Sequence, residues 1–169
     1  MKIVTTPMCE DIVKYAGITD YVVNRFPKKE DGDLAILLSE SKTDMKSVRI
    51  KINTFSQIRE SVEKISKYGC GTNMDSVFED YPLAAKYLNH TPQNTTRVKV
   101  YSNFLKDIAE DMGFEIVDEN YDLAIAPDYL VDEIDEDVLS IPSHNNVSKN
   151  PIKKASLRYE ILEDYINYK

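Results

Sequence analysis

Cys9 combines a reactive side chain with a position that favours reactivity. It follows a predicted strand and lies in the first turn of a predicted helix. A helix N-terminus stabilises a thiolate and lowers the pKa of a thiol, which suits a nucleophile or a redox group. The alternative is a small buried residue in a helix that packs on a sheet. The sequence leaves both interpretations open.

The segment 143–151 (SHNNVSKNP) predicts a binding site for an anion. It follows a short predicted strand and opens a helix with proline at its first position. His144, Ser148 and Lys149 precede that helix, whose N-terminal N–H groups favour negative charge. Three further basic residues extend this patch: Lys153, Lys154 and Arg158. An ordinary capped loop with solvated lysines is the alternative.

Metal and cofactor sites are not predicted. The two cysteines and two histidines are scattered singly, whereas zinc ligands are closely spaced pairs. Cys70 lies between two glycines in a loop that lacks the Lys-Ser/Thr ending of a phosphate-binding P-loop. The acidic run 128–137 lacks the glycine of a calcium-binding EF-hand loop.

Alternating strands and helices predict a three-layer α/β fold, with a mainly parallel sheet and helices on both faces. The run DLAILL at 33–38 is apolar throughout, as in a strand covered on both faces. The segment VRIKI at 48–52 alternates, as in a half-exposed strand or an edge strand. Helices are predicted at 8–16, from Thr54 to Gly69, at 75–88, at 104–112 and from Pro151 to about 168, with a connector at 91–96. Within 75–88, Pro82 must lie near a helix start or cause a break.

Ligands of such sheets bind beyond the carboxyl ends of the strands, and polar residues follow almost every predicted strand. They are Thr5, Thr6, Cys9, Ser39, Glu40, Ser41, Asn53, Thr54, Ser102, Asn103, Asp128, Ser143 and His144. Strand ends meet polar loops in any protein, so this pattern gives a location rather than a reaction. The predicted ligand-binding residues are Thr6, Cys9, Asn103, His144, Ser148 and Lys149.

Residues 2–18 and 98–114 share one plan at an offset of 96, with Gly17 matching Gly113. The tetrapeptide DLAI then occurs at 33–36 and again at 122–125. An internal duplication is one interpretation, and the general similarity of βαβ units is the other. The expected organisation is a single domain over 1–169, with repeat halves 1–50 and 97–142, a helical insert 54–90 and a C-terminal helix 151–168.

The formal net charge of −8 disfavours nucleic acid and anionic membranes as partners. No stretch approaches the roughly 20 apolar residues that span a bilayer, and two cysteines are too few for a disulfide framework. A cytoplasmic location is therefore predicted. The last helix carries a heptad seam, which packs on the protein's own sheet or forms a homodimer contact: Ile152, Ala155, Tyr159, Leu162 and Ile166.

The opening IVTTP, followed by a helix, AGI and DYVV, resembles the start of one half of cobalamin- or metal-type solute-binding proteins. The resemblance implies a shared fold and carries no functional residue. The composition, rich in Glu, Lys, Asp, Ile, Tyr and Asn, resembles conserved uncharacterised proteins of methanogenic archaea.

Three functions follow from these observations. The preferred hypothesis is a module that binds a small anionic ligand at the carboxyl edge of the sheet. The second is an enzyme that uses Cys9 or His144 as nucleophile or base. The third is a homodimeric interaction protein that docks through its C-terminal helix.

Overall fold

A computed structural model describes residues 1–90 and 92–168. The chain divides into two compact units, Met1–Asp80 and Tyr81–Lys169. The expected single domain stays a prediction. The connector predicted at 91–96 begins at Thr91, which lies outside the described residues.

The N-terminal unit contains a sheet of four parallel strands in the order β2-β1-β3-β4. Helix α2 contacts both α1 and β4, so it lies beside the edge strand. The elements are β1 (Ile3–Thr5), α1 (Glu10–Tyr15), β2 (Tyr21–Val23), β3 (Leu34–Leu38), β4 (Ser47–Ile50), α2 (Phe55–Ile65) and α3 (Met74–Phe78), with a 3-10 turn at Ser66–Tyr68.

The C-terminal unit contains a second parallel sheet in the order β6-β5-β7-β8. Helix α5 contacts β5, β6 and β7, and α6 contacts α4. The elements are α4 (Pro82–Asn89), β5 (Arg97–Val100), α5 (Asn103–Asp111), β6 (Glu115–Ile116), β7 (Leu123–Pro127), β8 (Leu139–Ile141) and α6 (Pro151–Asn167), with a 3-10 turn at Asp128–Glu133. None of the helices in the described part of the chain is long and apolar enough to cross a bilayer.

Both sheets begin with the same reciprocal clamp. The Lys2 N–H donates to the Asp33 carboxylate at 2.6 Å, and the Asp33 N–H donates to the Lys2 carbonyl at 2.8 Å. Arg97 and Asp122 repeat this exchange at 2.9 and 2.8 Å. Each aspartate is the first residue of a DLAI tetrapeptide, so the repeated sequence sets a repeated structure.

The helix that follows the first strand of each unit, α1 or α5, ends at a glycine in the left-handed region. Gly17 has φ +71° and Gly113 has φ +80°, and the N–H groups at and after each glycine bond back to helix carbonyls. These bonds satisfy carbonyls that a helix end leaves unpaired. A Cβ on Gly17 would lie 2.9 Å from the Cys70 nitrogen, and one on Gly113 would strike the Pro92 carbonyl oxygen.

The two units therefore share one topology, β-α-β-β-β-α, with the same strand order. This confirms the α/β class and the parallel strands, and it agrees with a duplication. The correspondence extends past residues 50 and 142 to the helix that follows each fourth strand. Buried residues of the two helices match at an offset of 97: Phe55, Ile58, Ser61, Val62 and Ile65 against Ile152, Ala155, Arg158, Tyr159 and Leu162.

Candidate anion-binding cavity

A cavity of about 420 Å³ that is open to solvent lies at the carboxyl ends of β3 and β4 in the N-terminal unit, and four of its eight lining residues are exposed. Such a volume is within the range of small-molecule sites, roughly 300–1,000 Å³. Its walls come from the residue after β3, from the end of β4 and from one face of α2. The lining residues are Ser39, Arg49, Ile50, Lys51, Gln57, Glu60, Ser61 and Lys64.

The edge of β4 is held by side chains from α2. The Lys64 Nζ donates to the Arg49 carbonyl at 2.6 Å, and the Ser61 Oγ donates to the Lys51 carbonyl at 2.7 Å. Exposed strand edges need such cover, because their unpaired backbone groups invite association. These two bonds fix α2 alongside β4 and set the width of the cavity between them.

The start of α2 is fixed by a reciprocal cap. The Thr54 Oγ1 accepts from the Gln57 N–H at 3.1 Å, and the Gln57 side chain accepts from the Asn53 N–H at 3.0 Å. This cap satisfies donors that the helix N-terminus leaves unpaired. Because the helix repeats every 3.6 residues, Glu60 and Lys64 follow on the same face as Gln57, toward the cavity.

The cavity is cationic on a protein of net charge −8. Arg49, Lys51 and Lys64 line it against one carboxylate, Glu60. Arg49 also bonds the β3–β4 loop through the Leu38 carbonyl at 3.4 Å and, at short range, the Ser41 carbonyl. The Arg49 guanidinium has five N–H donors and the Lys64 ammonium three, so both side chains can also donate to a ligand.

The C-terminal unit fills the matching place with a side chain. Arg158 stands at the α6 position that matches Ser61, and its Nε donates at 2.9 Å to the Pro142 carbonyl, just as Ser61 bonds Lys51. Its Nη2 donates to Ser143 at 2.6 Å, and its guanidinium lies 4.5 Å from the centre of the Phe104 ring. Arg158 is 5 % exposed, and burial lowers the pKa of its guanidinium to about 10.

Thr6 and Cys9, two of the predicted ligand residues, lie in the N-terminal unit near the end of β1. The Cys9 side chain is fully buried, and burial raises the pKa of its thiol to about 11. Hydrogen bonds to Thr6 and to the Leu38 backbone only partly offset this rise. A thiol of such pKa carries little thiolate at neutral pH, so the structure favours the packing interpretation of Cys9.

The other four predicted residues lie in the C-terminal unit. Asn103, Ser148 and Lys149 are exposed, and the Ser148 Oγ accepts from the Asn150 N–H at 3.1 Å. The Asn150 side chain accepts from the N–H groups of Ile152 and Lys153, so the start of α6 is already capped. The predicted anion site at this helix start therefore competes with an internal cap.

His144 lies beside the cationic side chains of α6. Partial burial, then the charges of Lys154 and Arg158, lower the pKa of His144, and Asp128 opposes them. The Asp128 carboxylate accepts from the Ser143 N–H at 3.2 Å and from its hydroxyl at 2.5 Å, and these bonds lower the pKa of Asp128. Ser143 is therefore already hydrogen-bonded to Asp128 and to Arg158.

A second polar cluster lies on the sheet of the C-terminal unit. Lys99 of β5 donates to Glu136 at 2.6 Å, and the hydroxyls of Tyr101 and Tyr121 bond the same carboxylate. The Lys99 ammonium lies 5.0 and 5.1 Å from the centres of the two rings. The polar atoms of this cluster bond one another, and these bonds hold the segment around Glu136 against β5.

Among residues 1–90 and 92–168, no group of three or more His, Cys, Asp or Glu side chains is placed to hold a metal ion. No protein-family model matches the chain, and no curated protein sequence does either.

Ser39 belongs to the polar strand ends that the sequence singled out, whereas Arg49, Lys51 and Lys64 were missed. The alternation VRIKI carried a signal, since it places two cations on one edge strand. No sequence signal pointed to Lys64, because only the packing of α2 against β4 brings this lysine to the cavity.

Proposed function

We propose that the N-terminal unit binds a small anionic ligand in the cavity between β4 and α2. The observation that carries this proposal is the comparison of the two units. Where the C-terminal unit fills the matched position with Arg158, the N-terminal unit has Ser61 and a cavity lined by three cations.

The position of the cavity supports the proposal. Ligands of open parallel sheets bind beyond the carboxyl ends of the strands, and Ser39 and Lys51 follow β3 and β4 directly. The side chains of Ser61 and Lys64 donate to the backbone carbonyls of Lys51 and Arg49, and these bonds support a site that is formed before a ligand arrives. Preformed donors lower the ordering cost of binding.

The charge of the cavity supports an anion over other ligands. Three cations face one carboxylate in a chain whose acidic residues outnumber its basic ones, 29 to 21. An anionic ligand offsets the excess positive charge of this lining and accepts charge-assisted hydrogen bonds from Arg49 and Lys64. We also propose a cytoplasmic location, supported by the two unpaired cysteines, Cys9 and Cys70.

The test is calorimetric titration of the whole protein with phosphate, sulfate, malate and glycerol 3-phosphate. At least one anion is expected to bind, and Lys51→Gln with Lys64→Gln should weaken it about tenfold or more, since each removes a charge-assisted bond. Lys67→Gln is the matched control, because this exposed lysine lies one turn further and does not line the cavity.

A filled cavity gives an independent variant. Ser61→Arg copies the residue of the C-terminal unit and should abolish binding by occupying the space. Unchanged binding in Ser61→Arg and in the double lysine variant would contradict the proposal, as would the absence of binding by all four anions.

A further inference from the structure

We infer that β2 is the contact of a homodimer, in which the free edges of two copies pair antiparallel about a two-fold axis at Val22. β2 is the outer strand of its sheet, and among the described strands it pairs only with β1. Three of the six exposed large apolar side chains in the described part of the chain lie together here: Val22, Val23 and Phe26. An exposed apolar edge strand is a template for the addition of another strand.

The other three edge strands of the two described sheets are protected. Lys64 and Ser61 of α2 bond the backbone at and after β4, and Arg158 of α6 bonds the backbone after β8. β6 is two residues long and carries the exposed Glu115, and the exposed Asp118 follows it. Because cover, shortness and charge all prevent edge pairing, β2 is the edge at which a strand can add.

The backbone of β2 presents two residues to the free edge. The Asn24 N–H donates to the Thr5 carbonyl of β1 at 2.9 Å, so Asn24 bonds inward. Inward and outward residues alternate along an edge strand, so Val22 also bonds inward, whereas Tyr21 and Val23 direct their N–H and C=O groups outward. A two-fold pair joins Tyr21 of each copy to the partner's Val23. Each of these residue pairs exchanges two hydrogen bonds, about four in all.

The side chains on both sides of the axis suit this register. Val22 meets the partner's Val22 at the axis, in the closer spacing of a pair without backbone bonds. Asp20 lies opposite the partner's Asn24, whose amide has two N–H donors. Acidic Asp20 precedes the strand and basic Arg25 follows it, so antiparallel pairing brings the acidic end of each copy to the basic end of the other. The edge of β2 is therefore complementary to a second copy of itself.

The matching edge of the C-terminal unit opposes the same pairing. Tyr21 and Ile116 stand at matched positions, since each pairs with the residue that follows the lysine or arginine of its clamp. The equivalent two-fold pair of β6 would set Glu115 opposite the partner's Glu119. Like charges directly opposite one another are destabilising. The charge pattern thus selects β2 over β6 as the self-complementary edge.

The experiment is sedimentation equilibrium of the whole protein from micromolar to millimolar concentration, since a contact of this size gives weak association. The wild type should shift from monomer to dimer as the concentration rises. Val22→Lys and Val22→Glu should each stay monomeric, because two like charges meet at the axis. An equimolar mixture of these two variants should form a dimer again, because the charges at the axis are then opposite.

Asp118→Asn is the control, because it raises the net charge by one, as Val22→Lys does, at the exposed edge of the C-terminal unit. It should dimerise like the wild type. Circular dichroism checks that each variant is folded, and recovery of the dimer in the mixture separates charge repulsion from misfolding.

A wild type that stays monomeric at every concentration would overturn the inference. Dimers of Val22→Lys alone would also overturn it, since the copies would then associate through another surface. The absence of a mixed dimer between the two folded variants would overturn the two-fold pairing at Val22.

Discussion

At the scale of single residues, Ser61 and Arg158 show how one matched position becomes either a cavity wall or a core group. Both side chains leave the helix after the fourth strand and bond the carbonyl at the end of that strand. The serine is short and leaves space beyond its hydroxyl. The arginine extends to Ser143 and Phe104, so its side chain fills the space at the matched position.

Replacement of Arg158 by methionine should destabilise the protein by about 2–4 kcal/mol, because the Pro142 and Ser143 carbonyls lose a charged donor. Methionine retains the length of the side chain, so lost hydrogen bonds rather than lost volume dominate. Urea denaturation measures the effect. Arg25→Met, at an exposed arginine, is the control and should change stability by less than about 0.5 kcal/mol. Equal effects of the two variants would contradict the assigned role.

The sequence predicted the edge of the sheet on which the cavity lies, but only Ser39 among its lining residues. Residues after a strand can be read directly, since the chain itself places them there. Arg49, Lys51 and Lys64 meet through the packing of α2 on β4, which no local pattern encodes. Thr6, Cys9, Asn103, His144, Ser148 and Lys149 stay predictions as ligand residues.

At the scale of elements, the Lys99–Glu136 cluster ties β5 to the segment before β8. The Lys99 ammonium, then the Tyr101 and Tyr121 hydroxyls, lower the pKa of Glu136 to about 2. Val4 stands at the matching place on the N-terminal sheet, because it pairs with Ala35 of the first DLAI as Lys99 pairs with Ala124 of the second. Val4 and Met45 belong to an apolar cluster. The two halves thus use different chemistry on equivalent faces.

The lowered pKa of Glu136 predicts a loss of stability in acid. A carboxylate with a depressed folded pKa stabilises the fold above its unfolded value of 4.5, and this contribution disappears as the pH falls toward 2. Glu136→Gln should therefore be less stable than the wild type at pH 6, and the difference should shrink between pH 5 and pH 2. Urea titrations across this range test it, with Glu133→Gln as the exposed control. A constant difference would contradict the ion pair.

The glycine that ends α5 should tolerate no side chain. Gly113 and Gly71 both have positive φ, but a Cβ on Gly113 would meet the Pro92 carbonyl, whereas one on Gly71 would have only the Ser66 Oγ at 4.0 Å. Gly71→Ala should cost about 1 kcal/mol for its backbone conformation alone. Gly113→Ala should cost about 3 kcal/mol or more, since backbone must move as well. Thermal unfolding compares them, and equal losses would show that the contact with Pro92 is unimportant.

Strands and helices were predictable where the hydrophobic periodicity agreed with the positions of the glycines and prolines that begin or end elements. The apolar DLAI runs became β3 and β7, and glycines ended α1 and α5. The helical segment predicted at 75–88 consists of two helices, and Pro82, predicted to lie near a helix start or a break, begins α4. The acidic run near 128–137 starts with a 3-10 turn of six residues.

At the scale of the whole molecule, the similarity of the two units is visible in the sequence only at residues that bond or shape the backbone. Glycine, aspartate and the DLAI strands recur because helix ends and strand starts need them. Side chains that face cavities or loops are under no such backbone constraint, and Ser61 and Arg158 differ at one matched position. The shared topology therefore permits one open and one filled unit, and the open unit carries the proposed site.

The heptad seam of α6 bears on whether this helix joins two chains in a homodimer. Four seam residues are buried within the single chain: Ile152, Ala155, Tyr159 and Leu162. The Tyr159 hydroxyl donates to Asp111 at 2.5 Å, and its ring lies 4.9 Å from that of Tyr87. These four seam residues are thus part of the interior, and a homodimer through this helix, which stays a prediction, would use the exposed face of α6.

Leu162→Asp distinguishes these two roles of the helix. A charge at this fully buried position should cost more than about 4 kcal/mol and lower the melting temperature steeply. Glu160→Ala, at an exposed site of the same helix, should leave stability nearly unchanged. Circular dichroism and sedimentation equilibrium are measured together on both variants. A Leu162→Asp protein that keeps its melting temperature but halves its mass would show that the seam joins two chains, because only an intermolecular contact can be lost without unfolding the chain that carries it.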